Sequence, residues 1–193
     1  MEEKSGFLKT QIWSIVLIVI IIVMGVEILL LVQENKKLRN TLSLSKGPFK
    51  ILNPEEKVPP LIGIDQKGEE VRIDYPSSKK TVLFWFSPAC PSCEENLVFW
   101  KEIYQRHNSE KLRFAGVTQA EKSKVEEFIK RFQLEFPVLI ISNLSLVDQY
   151  KVEVIPQTML IDSNGIVQKV WPGPLSEKYR KEIEVMLTLS PKT

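Results

Sequence analysis

The sequence predicts an α/β domain, a mixed central sheet flanked by helices, behind a single N-terminal membrane-spanning helix. Three observations lead there. The continuous apolar run Thr81-Val82-Leu83-Phe84-Trp85-Phe86, bounded by Lys79-Lys80 and Ser87-Pro88, reads as a buried central strand. Strand-like and helix-like segments alternate around it and end in a hairpin and a closing helix, the order of an α/β layer sandwich. Far upstream, Ile12 to Val32 is almost all Ile, Val and Leu, broken chiefly by Ser14, Gly25 and Glu27.

With 193 residues there is room for one ordinary domain and an appendage. The net charge of +2, and the lack of a basic run with interleaved aromatics, give no case for nucleic acid. Only two cysteines are present, both in one motif, so no disulfide framework supports the fold and it needs a real hydrophobic core.

Residues 1–10 form a short polar tail, with Lys4 and Lys9 against Glu2 and Glu3. Residues 11–33 are the anchor; as a helix the apolar run covers roughly 30 Å, the thickness of the hydrocarbon layer. Trp13 suits an interfacial position, and Glu27 lies near enough to the far end to snorkel. A cleaved signal peptide has a shorter apolar region, about 7–15 residues, and a small-residue cleavage site. Glu27-Ile28-Leu29-Leu30 offers no such site, so the anchor is expected to stay uncleaved. Residues 34–57 read as a stalk. Ile28, Leu31, Asn35, Leu38 and Leu42 are spaced like coiled-coil core positions, but the stretch is short and Asn35 weakens its seam. Lys46-Gly47-Pro48 breaks any helix, and Asn53-Pro54 and Pro59-Pro60 keep the chain extended.

The domain is expected over residues 58–189. Leu61–Ile64 and Val71–Ile73 flank the turn Asp65-Gln66-Lys67-Gly68. After the central strand comes a helix with Leu97, Val98, Phe99, Trp100, Ile103 and Tyr104, then a strand over Leu112–Val117. Glu121–Phe132 has helical period, with Val125, Phe128, Ile129 and Phe132 facing inward. Pro137–Ile141 reads as a short buried segment and Leu144–Tyr150 as a short helix. Thr158–Ile161 and Ile166–Val170 bracket Asp162-Ser163-Asn164-Gly165, a hairpin signal, and Ser176 caps a last helix to about Leu189. Trp171-Pro172-Gly173-Pro174 reads as a loop, His107 as a solvated residue at a helix end, and Trp85 and Trp100 as core.

The chemistry lies in Cys90-Pro91-Ser92-Cys93, at the junction of the central strand and its helix. Free backbone N–H groups and the positive dipole end of a helix favour a thiolate at Cys90. Pro91 suits the first helical position, where its missing N–H is no loss. Cys93 in the first turn can close a small ring with Cys90, so the pair suits reversible dithiol–disulfide exchange. Three plainer readings stand beside this one. A zinc site needs two more ligands, and the chain has one His and no other Cys. A structural disulfide over so short a loop stabilises little. Two inert buried thiols fit poorly beside Pro-Ser at a helix mouth.

With Ile155-Pro156-Gln157-Thr158 and Leu160-Ile161-Asp162 downstream, this motif resembles the thioredoxin-like superfamily. More narrowly, the chain is similar to membrane-anchored thiol–disulfide oxidoreductases of the TlpA/ResA type and redoxin-like MauD accessory proteins. That resemblance spans about Val58 to Leu189 and includes the anchor. It implies that Cys90 is the attacking thiolate, Cys93 the resolving thiol, and Pro156 a cis-proline facing them. Ile155, with Ala89, Pro91 and Ser92, would contact an extended substrate. The implied cofactor is none beyond the redox-active disulfide, with no metal. The implied partners are a protein disulfide or dithiol, a membrane-embedded electron donor and the lipid bilayer, in work such as cytochrome c maturation. Three positions depart from the family pattern. Ala89 stands where many thioredoxins have Trp, Phe84 where many have a buried acid, and Asn96 where some TlpA/ResA-type proteins have Glu. Glu94 and Glu95 read as helix-start charge.

Two other functions share this fold. A peroxiredoxin-like peroxidase resembles a Pro-x-x-x-Thr-x-x-Cys pattern, and Pro88 lies too close to Cys90 for that. A metal chaperone or docking module needs a longer Cys–Cys spacing and a downstream His, whereas His107 precedes the late strands. Location draws two opposed signals. Lys4 and Lys9 before the span are outnumbered by Lys36, Lys37, Arg39 and Lys46 after it, which favours a cytoplasmic domain. A tethered CxxC carrier is more useful where disulfides persist. The expectation is a single-pass protein of a bacterial cell membrane with its domain outside the cytoplasm.

Overall fold

A computed structural model describes residues 13, 17–34, 49–109 and 111–188. The chain divides into two compact units, Met1–Pro48 and Phe49–Thr193. In the first, helix α1 (Leu17–Glu34) is long and apolar enough to cross a membrane, and its side chains are exposed all round. A helix apolar on every face suits lipid. The anchor's first residues and the coiled-coil-like positions Asn35, Leu38 and Leu42 lie outside the described residues.

The second unit is built on a mixed sheet. Its strands are β1 (Leu61–Ile64), β2 (Glu70–Ile73), β3 (Lys80–Trp85), β4 (Leu112–Thr118), β5 (Val138–Ile140), β6 (Gln157–Ile161) and β7 (Val167–Pro172). The helices are α2 (Pro91–His107), α3 (Lys122–Phe132), α4 (Leu144–Gln149) and α5 (Glu177–Thr188). In space the strands run β2-β1-β5-β4-β3-β6-β7. The β3–β4 and β4–β5 pairs are parallel and the others antiparallel.

Strand alternation sorts β3 between two cores. Val82 and Phe84 face Leu97, Trp100 and Ile103 of α2, Val125 and Phe128 of α3, and Ile183 and Leu187 of α5. Leu83 and Trp85 face the other way, toward Leu146 of α4 and Tyr150. Residues buried on both sides explain why β3 reads as an unbroken apolar run and not as an alternation. The β6–β7 hairpin turns where the Asp-Ser-Asn-Gly signal predicts. Asp162 Oδ1 accepts the N–H groups of Asn164 and Ile166, each at 2.8 Å, and Gly165 has φ +83°. Ser176 Oγ accepts the Tyr179 N–H at 3.4 Å, at the start of α5.

Three expectations change. Residues 49–57, read as stalk, belong to the folded unit: Leu52 is buried, the Glu55 N–H bonds to Val167 O at 2.9 Å, and Lys151 pairs with Glu56. Trp171 is not a loop residue but lies within β7, paired with Thr158, buried, its indole N–H donating to Glu182 Oε2 at 3.0 Å. His107 is largely buried, with Nε2 3.1 Å from Glu184 Oε2.

Gly165 gives a direct test of the hairpin. A Cβ there would lie 2.9 Å from the Tyr75 side chain, on a backbone that L side chains rarely adopt. Gly165→Ala should therefore destabilise the protein by about 2–4 kcal/mol in urea unfolding; an unchanged midpoint would contradict this turn geometry.

Candidate active site at the carboxyl end of the central strand

β3 ends at Trp85, and the Phe86 N–H still bonds to Val117 O at 3.0 Å. Ser87-Pro88-Ala89 then turns the chain. The Cys90 N–H donates to Ser87 O at 3.0 Å and the Ala89 N–H to Ser87 Oγ at 3.3 Å. Cys90 is the N-cap of α2 with extended backbone angles, and Pro91 takes the first helical position. The Cys93 N–H donates to Cys90 O at 3.0 Å, which folds the motif into one tight turn. Both cysteines are free thiols, Cys90 half-exposed and Cys93 buried. Cys90 is thus the sulfur that a partner can reach.

Burial pushes the Cys93 thiol up to about 12. Its hydrogen bond with Cys90, and the charges of Cys90 and Glu94, act in the same direction, while a backbone hydrogen bond at Ser87 opposes them. The core beneath the motif is aromatic. Phe84 stacks on Trp100 with ring centroids 4.8 Å apart, and the Trp100 indole N–H donates to Thr158 Oγ1 at 2.9 Å. Asn96, one turn beyond Cys93, is buried and bonded at both ends of its amide to the segment after β7. Glu94 sits 3.7 Å from Arg131 of α3, whereas Glu95 is exposed.

The sheet register brings Pro156 to this end of the molecule. Trp85 of β3 lies opposite Gln157 of β6, so Pro156 stands beside the chain leaving β3. The Ile155–Pro156 peptide is cis; Pro156 is buried and Ile155 is 39% exposed. Between the two loops opens a cavity of about 360 Å³, lined among others by Trp85, Ser87, Thr118, Gln119, Glu153 and Ile155. Ala89 and Pro91 are exposed and Ser92 half-buried at the helix mouth. Ala89 also lines a smaller hollow of about 160 Å³ with Pro88, Phe128 and the charged residues Lys124, Glu127 and Arg131 of α3. His107 lies at the other end of α2, roughly 24 Å from the motif, and takes no part.

Sequence reasoning missed Thr118, Gln119 and Glu153, which carry no motif and reach the site only through the topology. It noted Asn96 as a departure from a family pattern, and its partners lie far along the chain.

The Redoxin family matches residues 53–187. The chain belongs to that family. It is 29% identical over 120 residues to the sporulation thiol-disulfide oxidoreductase A of Bacillus subtilis, covering 60% of this chain and 72% of that protein. With the thiol-disulfide oxidoreductase ResA of the same organism the identity is 25% over 177 residues, covering 91% and 89%. Among solved structures, StoA from Bacillus subtilis superposes with a TM-score of 0.57 at 24% identity, covering 70% of this chain and 99% of that one. The fold is thioredoxin-like, and the chain is a TlpA/ResA-type thiol–disulfide oxidoreductase.

The high affinity of Cys93 for its proton links pH to stability. A cysteine in the unfolded chain ionises at about pH 8.5, whereas folded Cys93 holds its proton to about 12. Its contribution is therefore fully present below about pH 8.5 and is lost as pH rises toward the folded value. The urea midpoint of the reduced protein should fall between pH 8 and 10, and Cys93→Ala should flatten that fall. An equal fall in both would place the titrating group elsewhere.

Proposed function

We propose that this protein is a membrane-tethered carrier that reduces or exchanges disulfides in exported proteins, with its domain on the extracytoplasmic side. The observation that carries this reading is the pairing of an accessible Cys90 with a buried, protonated Cys93 at a helix mouth. In the reducing direction, the Cys90 thiolate attacks one sulfur of the substrate disulfide. The S–S bond breaks, the other substrate sulfur leaves as a thiolate, and a mixed disulfide remains on Cys90. Cys93 then gives up its proton and attacks Cys90 Sγ. The second substrate thiolate leaves, and the Cys90–Cys93 disulfide holds the two electrons' worth of oxidation. Two electrons have passed to the substrate, whose two thiolates take up the proton released by Cys93 and one from water, and a membrane-embedded donor returns the pair to the dithiol.

An extended substrate fits along Ile155 and Pro156, with Ala89, Pro91 and Ser92 on the other side and the 360 Å³ cavity receiving a neighbouring side chain. The paired cysteines of an apocytochrome are one such substrate, which would give the protein a place in cytochrome c maturation. The extracytoplasmic placement is favoured by the redox chemistry, because reducing compartments leave few disulfides to act on.

The decisive measurement is the reduction potential of the full chain in detergent micelles, equilibrated in dithiol buffers. A reversible two-electron transition, abolished by Cys90→Ser, is expected; a value near about −270 mV marks a reductant and one near about −120 mV an oxidant. If no reversible disulfide forms at any poise, the carrier reading fails. With a protein disulfide, Cys93→Ser should accumulate a mixed disulfide that Cys90→Ser does not form. In intact cells, a membrane-impermeant maleimide should label Cys90; labelling only after lysis would put the domain in the cytoplasm.

A further inference from the structure

A hydrogen-bonded chain connects the redox helix to Pro156. Asn96 has no exposed surface and lies one turn beyond Cys93 on α2. Its Nδ2 donates to the Gly173 carbonyl at 3.3 Å, and its Oδ1 accepts the Leu175 N–H at 2.8 Å. The Gly173 N–H in turn donates to the Pro156 carbonyl at 2.7 Å. Gly173 thus bonds to α2 through its carbonyl and to the Pro156 loop through its N–H. Its φ of +79° is the left-handed conformation that glycine adopts without penalty.

The chemistry of the link selects an amide. One partner is a carbonyl that needs a donor, and the other is an N–H that needs an acceptor; a carboxamide offers one of each. A carboxylate would set a second acceptor against the Gly173 carbonyl. An alkyl side chain would leave both backbone groups without a partner. Asparagine is a weak helix former, so these contacts rather than backbone propensity account for it in the interior of α2.

We propose that Asn96 is a positioning residue for thiol–disulfide exchange, holding the Gly173 relay and the Pro156 loop in fixed register with the Cys90–Cys93 turn. The inference rests on the reading of Ile155 and Pro156 as the surface that receives an extended protein substrate. Its consequence is selective. A protein disulfide, which must lie along the loop, depends on Asn96; a small disulfide, which needs only Cys90, does not.

The test uses the reduced full chain in detergent micelles with two substrates, insulin as the protein disulfide and oxidised glutathione as the small one. Asn96→Ala should raise KM for insulin about tenfold, the weight of roughly one hydrogen bond. Its second-order rate with oxidised glutathione should stay within about twofold of wild type. Asn96→Asp supplies an internal rescue, because a protonated carboxyl can still donate to Gly173 and accept from Leu175. Its KM for insulin should match wild type near pH 5 and climb toward that of Asn96→Ala by pH 8, beyond any change in wild type. Equal losses with both substrates, or no loss with insulin, would overturn the proposal. If Asn96→Ala does not fold, the pH dependence of Asn96→Asp decides alone, and a flat ratio to wild type overturns it. Wild type failing with both disulfides would instead remove the redox reading on which the inference stands.

Discussion

The position of β3 between parallel β4 and antiparallel β6 is the constraint on which the site depends. Phe84 belongs to one core and Trp85 to the other, so a slip of one residue would put each into the wrong core, where its shape has no matching neighbours. The register is locked by that requirement. Once it is locked, the turn at Ser87 and the start of α2 follow, and so does the placement of Cys90. Strand β6 is fixed by the same pairing, which brings Pro156 to the same end of the sheet. The two halves of the site, though more than sixty residues apart, are therefore set by one strand.

Much of this was legible in the sequence because it is local. An unbroken apolar run, Pro91 at a helix start and an Asp-Ser-Asn-Gly turn each encode their own backbone. The CxxC was legible in the same local way, whereas a role for Ile155-Pro156 came only with the family resemblance. What could not be read depends on partners elsewhere. Trp171 is followed by Pro172-Gly173-Pro174, which looks like a turn, and only its pairing with Thr158 makes it strand. Residues 49–57 are polar and Pro-containing, the marks of a linker, yet Leu52 packs into the core beneath β1 and β6. His107 sits where a helix end is usually wet, and Glu184 of α5 encloses it. Asn96 looks like an ordinary polar residue on a helix until its contacts with Gly173 and Leu175 are seen.

Phe84 and Asn96, on either side of the motif, are instructive together. At Phe84 the chain has an aromatic that stacks on Trp100, and at Asn96 an amide that ties down a loop. Neither can accept a proton, and each adds packing or fixed hydrogen bonds. Burial is the first cause of the raised Cys93 thiol, and Cys90 and the Glu94 charge act in the same direction.

Helix α2 is also fastened well away from its first turn. Trp100 bonds to β6 near its middle, and at its far end Arg106 reaches Glu184 of α5 at 2.8 Å with His107 beside it. A helix held at its middle and far end is a fixed platform for the turn at its mouth. The only elements that sulfur–sulfur bond formation must bring together, Cys90 and Cys93, lie within that one turn. The redox pair is thus a local clasp set on a frame that the rest of the fold has already built.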